Sequence, residues 1–310
     1  MLYNKFGDFL KEKYGEKVRK LTLNIGADCP NRDGNVSRLG CFFCDYTKSG
    51  FDAPDSTIPL RKQIEDGIDY YKSKNIKKLI GYFQVGTNTY YDLDKLQKYV
   101  NILLEYQEIV SISISTRPDC IDEEVIRFFN DIKKRTDLVV ELGFQTANYK
   151  TLLKVNRGHT LAESIRAAIL LKQAKIFTVA HVIIGLPGDD KIDVVETAKI
   201  INALQIDAVK LHSLYISNKS VFGEMYKRKR LTLIDLDTYI DYAITFIANL
   251  DPKIIIERLV SKPPREEILF SNWGISWKKI INMIEKRMVE NNIYQGKYYK
   301  KFSVRKVTER

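Results

Sequence analysis

At 310 residues and 45% hydrophobic content, the chain is long enough for one large α/β domain and can fill a complete core. A formal net charge of +11 calls for an anionic partner. No run of eighteen apolar residues is present, so no membrane span is expected, and residues 1–7 have no apolar signal-peptide core, so a cytoplasmic location is expected.

Short runs rich in β-branched residues alternate with longer segments of helical period, without internal repeats or low-complexity tracts. In chain order, strands are expected at 21–25, 78–84, 109–115, 138–144, 177–184, 208–214 and 253–258. Helices are expected between them at 59–74, 92–106, 121–134, 149–154, 161–174 and 191–204. Strands separated by helices imply parallel pairing through right-handed crossovers, hence a (β/α) barrel, complete or partial. After residue 216 the pattern turns to helices at 233–249, 265–268 and 275–291. The expected division is therefore a barrel over 1–216 and a mainly helical, basic extension over 217–310. From Trp277 onward ten Lys/Arg stand against three acids, which is +7 of the +11. Trp277, Tyr294, Tyr298, Tyr299 and Phe302 are interleaved with them. Cations of that kind neutralise phosphates while rings stack on unpaired bases; a solvated helix face followed by a loose terminus gives the same pattern.

Three of the four cysteines lie in one stretch, Cys29-Pro-Asn-Arg-Asp-Gly34 to Gly40-Cys41-Phe-Phe-Cys44. Three thiolates at this spacing can hold three irons of a 4Fe–4S cluster and leave the fourth iron open, an arrangement suited to catalysis. Structural zinc would want four Cys/His ligands, and His159, His181 and His212 are not paired at zinc-finger spacing. Four cysteines are also too sparse for a secreted disulfide framework. The other chemistry-bearing stretches follow successive strands, at 84–90, 115–120, 143–145, 185–188 and 212–215, where barrel active sites form. Glu141, Gly143 and Gln145 share one face of their strand. His212, at a strand end, is the best placed histidine, and Cys120 reads as a buried thiol.

On these residues the chain resembles the radical S-adenosylmethionine (SAM) enzymes. The closing pair Cys41-Phe-Phe-Cys44 fits the usual motif, while the eleven residues between Cys29 and Cys41 resemble the YhcC-type branch, itself similar to the catalytic subunit of Elongator. Further matches are Tyr82-Phe-Gln84, Thr87-Asn-Thr-Tyr90, Ser115-Thr-Arg-Pro-Asp119, Glu141-Leu-Gly-Phe-Gln145, Asn156-Arg-Gly-His-Thr160, Ile184-Gly-Leu-Pro-Gly188 and Glu257-Arg-Leu-Val260, over roughly residues 15–280. The resemblance implies a six-stranded partial TIM-like barrel, a 4Fe–4S cluster on Cys29, Cys41 and Cys44, and SAM chelated to the open iron. One-electron cleavage of SAM then gives methionine and a 5′-deoxyadenosyl radical. It implies Phe43 near the adenine, Arg157 on the SAM carboxylate, Glu141 and Gln145 on the ribose, and Gly185 in close backbone approach to the adenine. Most relatives carry Gly-Gly-Glu for the SAM amino group; Gly86-Thr-Asn-Thr89 replaces it here, leaving Gln84, Thr87 and Asn88 as candidates.

The leading expectation is tRNA modification at wobble-uridine side chains, with tRNA as partner and a flavodoxin- or ferredoxin-type reductase as electron donor. Only about 95 residues follow the barrel, so the acetyltransferase domain of Elongator-like enzymes is not expected, and the extra cysteines of methylthiotransferases are missing. The alternatives are a radical SAM enzyme acting on a small molecule, for example by oxidative decarboxylation, and a non-enzymatic metal-containing RNA-binding protein.

Overall fold

In the computed structural model, which describes residues 2–45, 53–90, 92–263 and 267–300, the chain opens with a short helix, α1 (Phe6–Tyr14). Strand and helix then alternate: β1 (Val18–Leu23), α2 (Leu60–Lys72), β2 (Lys78–Phe83), α3 (Leu93–Leu103), β3 (Ile109–Thr116), α4 (Glu123–Lys133) and β4 (Asp137–Gln145). The series continues with α5 (Tyr149–Lys154), α6 (Leu161–Gln173), β5 (Phe177–Ile184), α7 (Lys191–Ala203) and β6 (Ala208–Ser213). Helix starts are written locally. Asp92 and Asp122 accept from the first-turn amides of α3 and α4, and Thr160 and Asp190 close capping boxes with Glu163 and Asp193. These side chains satisfy amides that have no partner within the helix.

Beyond β6 come β7 (Ile216–Ser217), α8 (Val221–Lys227), α9 (Leu236–Asn249), β8 (Ile255–Arg258), β9 (Ile268–Phe270) and α10 (Trp277–Glu290). The main sheet is parallel and seven-stranded, in the order β1-β2-β3-β4-β5-β6-β8, and it curls into a partial TIM-like barrel with helices outside. β8 adds a seventh strand to the six implied by the resemblance. The first strand begins at Val18 rather than 21. Half of the helix expected at 265–268, residues 265 and 266, lies outside the described residues; Ile268 instead starts β9, which pairs antiparallel with β7. Two short elements, α1 and α8, carried no expectation. No helix among the described residues is long and apolar enough to cross a membrane.

Side chains pointing into the barrel follow the two-residue strand period and stack in layers. The lowest layer is apolar: Val18, Ile80, Val139, Val179, Ala208 and Ile255, closed from below by Phe6 and Leu10 of α1. Two residues further along the same six strands stand Lys20, Tyr82, Glu141, His181, Lys210 and Glu257. Here the wall is ionic. Lys20 Nζ donates to Glu141 and, at 2.5 Å, to Glu257; Lys210 Nζ lies 2.9 Å from Glu257 and 3.4 Å from Glu141. The two cations and two anions alternate around a ring, and both ammonium groups sit 5.1 Å from the Tyr82 ring centroid. Buried charges are tolerable only when paired in this way. Burial pushes the Glu141 carboxyl upward, but Lys20 and Lys210 outweigh it and hold the group well below the usual carboxylate range. Glu257 is likewise lowered, with burial and Glu141 opposed by the same two lysines.

Replacing Glu257 by Gln leaves both lysines short of a partner, so we expect a loss of roughly 3–5 kcal/mol in urea unfolding at pH 7. Both carboxyls are depressed in the folded state, so their contribution is complete above the unfolded value of about 4.3 and disappears as pH falls below it. The gap between wild type and Glu257→Gln should therefore narrow on acidification. A gap independent of pH would show that the ring is not charged.

Candidate active site

The third layer of inward side chains, with the loops above it, lines a cavity of about 320 Å³ at the C-terminal mouth of the sheet. Cys29, Cys41 and Cys44 line one side of it. The cysteine loop leaves β1 and is fixed by backbone bonds: Arg32 N donates to Cys29 O at 2.8 Å, Cys44 N to Cys41 O at 2.9 Å, and Phe42 N to Val155 O at 2.9 Å. Cys41 is buried, and its sulfur receives Asn31 Nδ2 and Arg157 Nη1, each at 3.5 Å. A hydrogen bond from the Cys44 thiol, with Arg157 and Arg117 nearby, holds Cys41 well below the ordinary thiol range. Cys44, the donor of that bond and half-buried, is raised. Among the described residues no three His, Cys, Asp or Glu side chains close on a point that would hold a single metal ion. A 4Fe–4S cluster instead distributes its thiolates over separate irons. Donor set, N–H···S bonds and neighbouring arginines all fit such a cluster.

Cys120 does not line the cavity. It ends a single 3-10 turn, and burial, followed by Asp119, pushes its thiol up to about 12.

The SAM-facing expectations divide. Phe43, Gln84, Thr87, Gln145 and Arg157 line the cavity; Phe43 also packs against the cluster of Val155, Leu186, Leu214, Ile216 and Phe222. Gln84 Oε1 is buried without a partner, an acceptor suited to an ammonium group. Arg157 crosses β4 and donates through Nη2 to Gly143 O at 3.0 Å, while its Nε is buried and unpartnered. A Cβ on Gly143 would lie 2.6 Å from Arg157 Nη2, so glycine is what admits the guanidinium. Gln145 holds a left-handed φ of 70° where the β4–β5 register shifts. Such a backbone costs about 1–3 kcal/mol and marks sites where a side chain has to be re-aimed.

The other three are engaged elsewhere. Asn88 bonds Phe83 O and Ser115 O, both at 3.0 Å, tying β2 to β3, and does not line the cavity. Gly185 also lies off the wall; its missing Cβ makes room for Ile234. Glu141 reaches the wall, but its oxygens are taken by Lys20, Ser113, His181 and Lys210. The carboxylate expected to bind the ribose is an inner support.

Sequence reasoning assigned no role to Arg117, which forks onto Asp119 at 2.9 and 2.7 Å and keeps Nη1 buried without a partner at the cavity wall. Its only signal was membership of the 115–119 stretch. Lys210, Tyr215 and Arg258 also line the wall, beside His181 and His212.

The Radical SAM superfamily model matches residues 24–201, and the Radical_SAM C-terminal domain matches 206–290. An uncharacterized protein, YtqA of Bacillus subtilis (strain 168), is 32% identical over 300 residues, covering 96% of this chain and 93% of its own. Protein YhcC of Escherichia coli (strain K12) is 32% identical over 273 residues, 88% of this chain and 87% of its own. A tRNA uridine(34) acetyltransferase of Methanocaldococcus jannaschii is 32% identical over 139 residues, 44% of this chain and 25% of its own. Among solved structures, the archaeal Methanocaldococcus infernus Elp3 superposes with a TM-score of 0.67 at 18% identity, over 90% of this chain and 64% of its own. That likeness shows the fold.

After anaerobic reconstitution, Cys29→Ala, Cys41→Ala and Cys44→Ala should each lose most cluster iron and sulfide, and Cys120→Ala should retain the wild-type content. Iron and acid-labile sulfide analysis decides it; a Cys120→Ala protein as depleted as the other three would contradict the ligand set.

Proposed function

The chain belongs to the radical SAM superfamily, as an enzyme using a 4Fe–4S cluster and SAM, and from that premise we propose that it modifies tRNA at a wobble-uridine side chain. When bound, cluster and SAM together supply a 5′-deoxyadenosyl radical, at the expense of one electron from a flavodoxin- or ferredoxin-type reductase.

The observation that carries the reading is the convergence of Cys29, Cys41 and Cys44 with Arg157, Arg117 and Gln84 on one cavity wall. Cys29, Cys41 and Cys44 hold the cluster. Arg157 offers its fork to the SAM carboxylate, and Gln84, with Thr87 beside it, receives the amino group. Gln145 faces the ribose and Phe43 the adenine. The two arginines offset the thiolates' negative charge.

RNA as substrate is supported by the relative named as a tRNA uridine(34) acetyltransferase and by the basic face of α10. Lys278, Lys279 and Lys286 are exposed there, and Lys297 lies over the exposed Tyr298 ring, 5.6 Å from its centroid. Lys301, Arg305, Lys306, Arg310 and Phe302 lie outside the described residues. In this reading residues 1–216 hold the cofactors and 217–310 meet the RNA, the latter also lending β8 and Arg258 to the barrel.

Incubating the reconstituted enzyme with dithionite and SAM, with and without tRNA from cells lacking the gene, should release 5′-deoxyadenosine that rises with that tRNA. Cys41→Ala should release none. Cleavage indifferent to tRNA would sink the RNA reading, and no cleavage at all would sink the enzymatic one. In a separate binding series, replacing Lys278, Lys279 and Lys286 by Gln should lower tRNA affinity and flatten its salt dependence by about 1 for each phosphate no longer neutralised.

A further inference from the structure

His181 is the residue of the ionic layer that reaches the cavity. Its Nε2 lies 2.5 Å from Glu141 Oε2, its side chain remains 19% exposed, and it lines the wall. Glu141 is the acceptor in that contact, because Lys20, Lys210 and Ser113 all donate to the same carboxylate. Nε2 therefore carries the proton. Burial, followed by the Lys210 charge, pushes the His181 pKa below its ordinary value despite Glu141, so the ring is neutral at pH 7 and Nδ1 is a bare lone pair.

That atom has no hydrogen-bond partner among the described residues. Unlike His212 Nε2, it is not among the walled-in, unpartnered atoms. His212 stacks on His181, centroids 5.1 Å apart and planes 28° apart, and covers one face of the ring. His212 is itself fixed: the Ser261 hydroxyl gives its proton to Ser213 O at 2.8 Å, so at 3.3 Å it accepts from His212 Nδ1–H. The remaining ionisable groups around the pair are Lys20, Glu257, Tyr82 and Arg258.

We propose that His181, oriented by Glu141, is the specificity-determining residue of the cavity, its bare Nδ1 accepting one hydrogen bond from the imide N–H of a flipped-out uracil. Uracil carries a donor at N3, whereas cytosine has an acceptor there, so a ring locked as an acceptor admits one and repels the other. Glu141 is a positioning residue, and the Lys20–Glu141–Lys210–Glu257 ring keeps it ionised. The proposal rests on the tRNA reading for its substrate class but not for the tautomer.

The test uses the reconstituted, oxidised enzyme labelled with ¹⁵N-histidine, with His181→Phe to assign the signal, and short anticodon stem-loop RNAs as probes. The expected results are an Nε2–H tautomer at pH 7 and at least tenfold weaker binding when the wobble uridine is replaced by cytidine or 3-methyluridine. In His181→Phe, which keeps the stack and removes the acceptor, that discrimination should vanish. An Nδ1–H tautomer overturns the dyad outright, with or without RNA. Wild-type binding blind to the base, or discrimination that survives in His181→Phe, overturns the specificity role. If none of the RNAs binds, the tRNA reading fails and the uracil assignment goes with it, while the tautomer still decides the dyad.

Discussion

Everything above the barrel floor depends on one alternating ring of charge, Lys20–Glu141–Lys210–Glu257. It occupies the level where six strands turn from an apolar plug to a polar cavity, and it contains no surplus charge. A hydrophobic layer of the same volume would be at least as stable. What the ionic layer provides is direction. Glu141 cannot rotate without breaking bonds to four side chains, so His181 cannot rotate either, and the inner end of the cavity has a fixed pattern of acceptors.

The cavity divides by chemistry along its length. Toward the cysteine loop it presents cations and N–H donors, which suit thiolates and the charged amino-acid end of SAM. Toward β5, β6 and β8 it presents imidazole rings on an ionic base, which suit a neutral polar ring. Two arginines serve the first half without leaving their own supports: Arg117 stays clamped to Asp119 and Arg157 to Gly143 O. Preorganisation of this kind avoids reordering donors when the cofactor arrives.

The architecture was legible because period and punctuation agreed. β4 alternates strictly, with Leu138, Val140, Leu142 and Phe144 under the helices and Glu141, Gly143 and Gln145 inside, and most of the barrel's helices start at a residue that can cap them. The three thiols, grouped in the sequence, also lie together on one side of the cavity. Burial partners were not legible. Glu141 looks like a free carboxylate in an inward position until Lys20 arrives from 121 residues away. Asn88 and Gly185 look like ligand residues because loops at strand ends are where ligands bind, yet one ties two strands together and the other makes room for Ile234. His181 drew less attention than His212 because it lies mid-strand, and only the register of β5 against β6 shows that its ring reaches the wall. The β7–β9 ribbon was invisible, since two- and three-residue strands have no period to read.

The floor of the barrel is also where distant parts of the chain meet. Asn4 O accepts from Ile256 N at 2.7 Å, Asn4 N donates to Gln295 at 2.8 Å, and α1 packs under strands from both halves of the sheet. During synthesis α1 can meet β1 early, but its contacts with β8 and the Asn4–Gln295 bond form only after those later segments have left the ribosome. Contacts spanning nearly the whole sequence close last and close slowly. The cysteine loop, complete within the first 45 residues, is thus translated long before the scaffold that shields it.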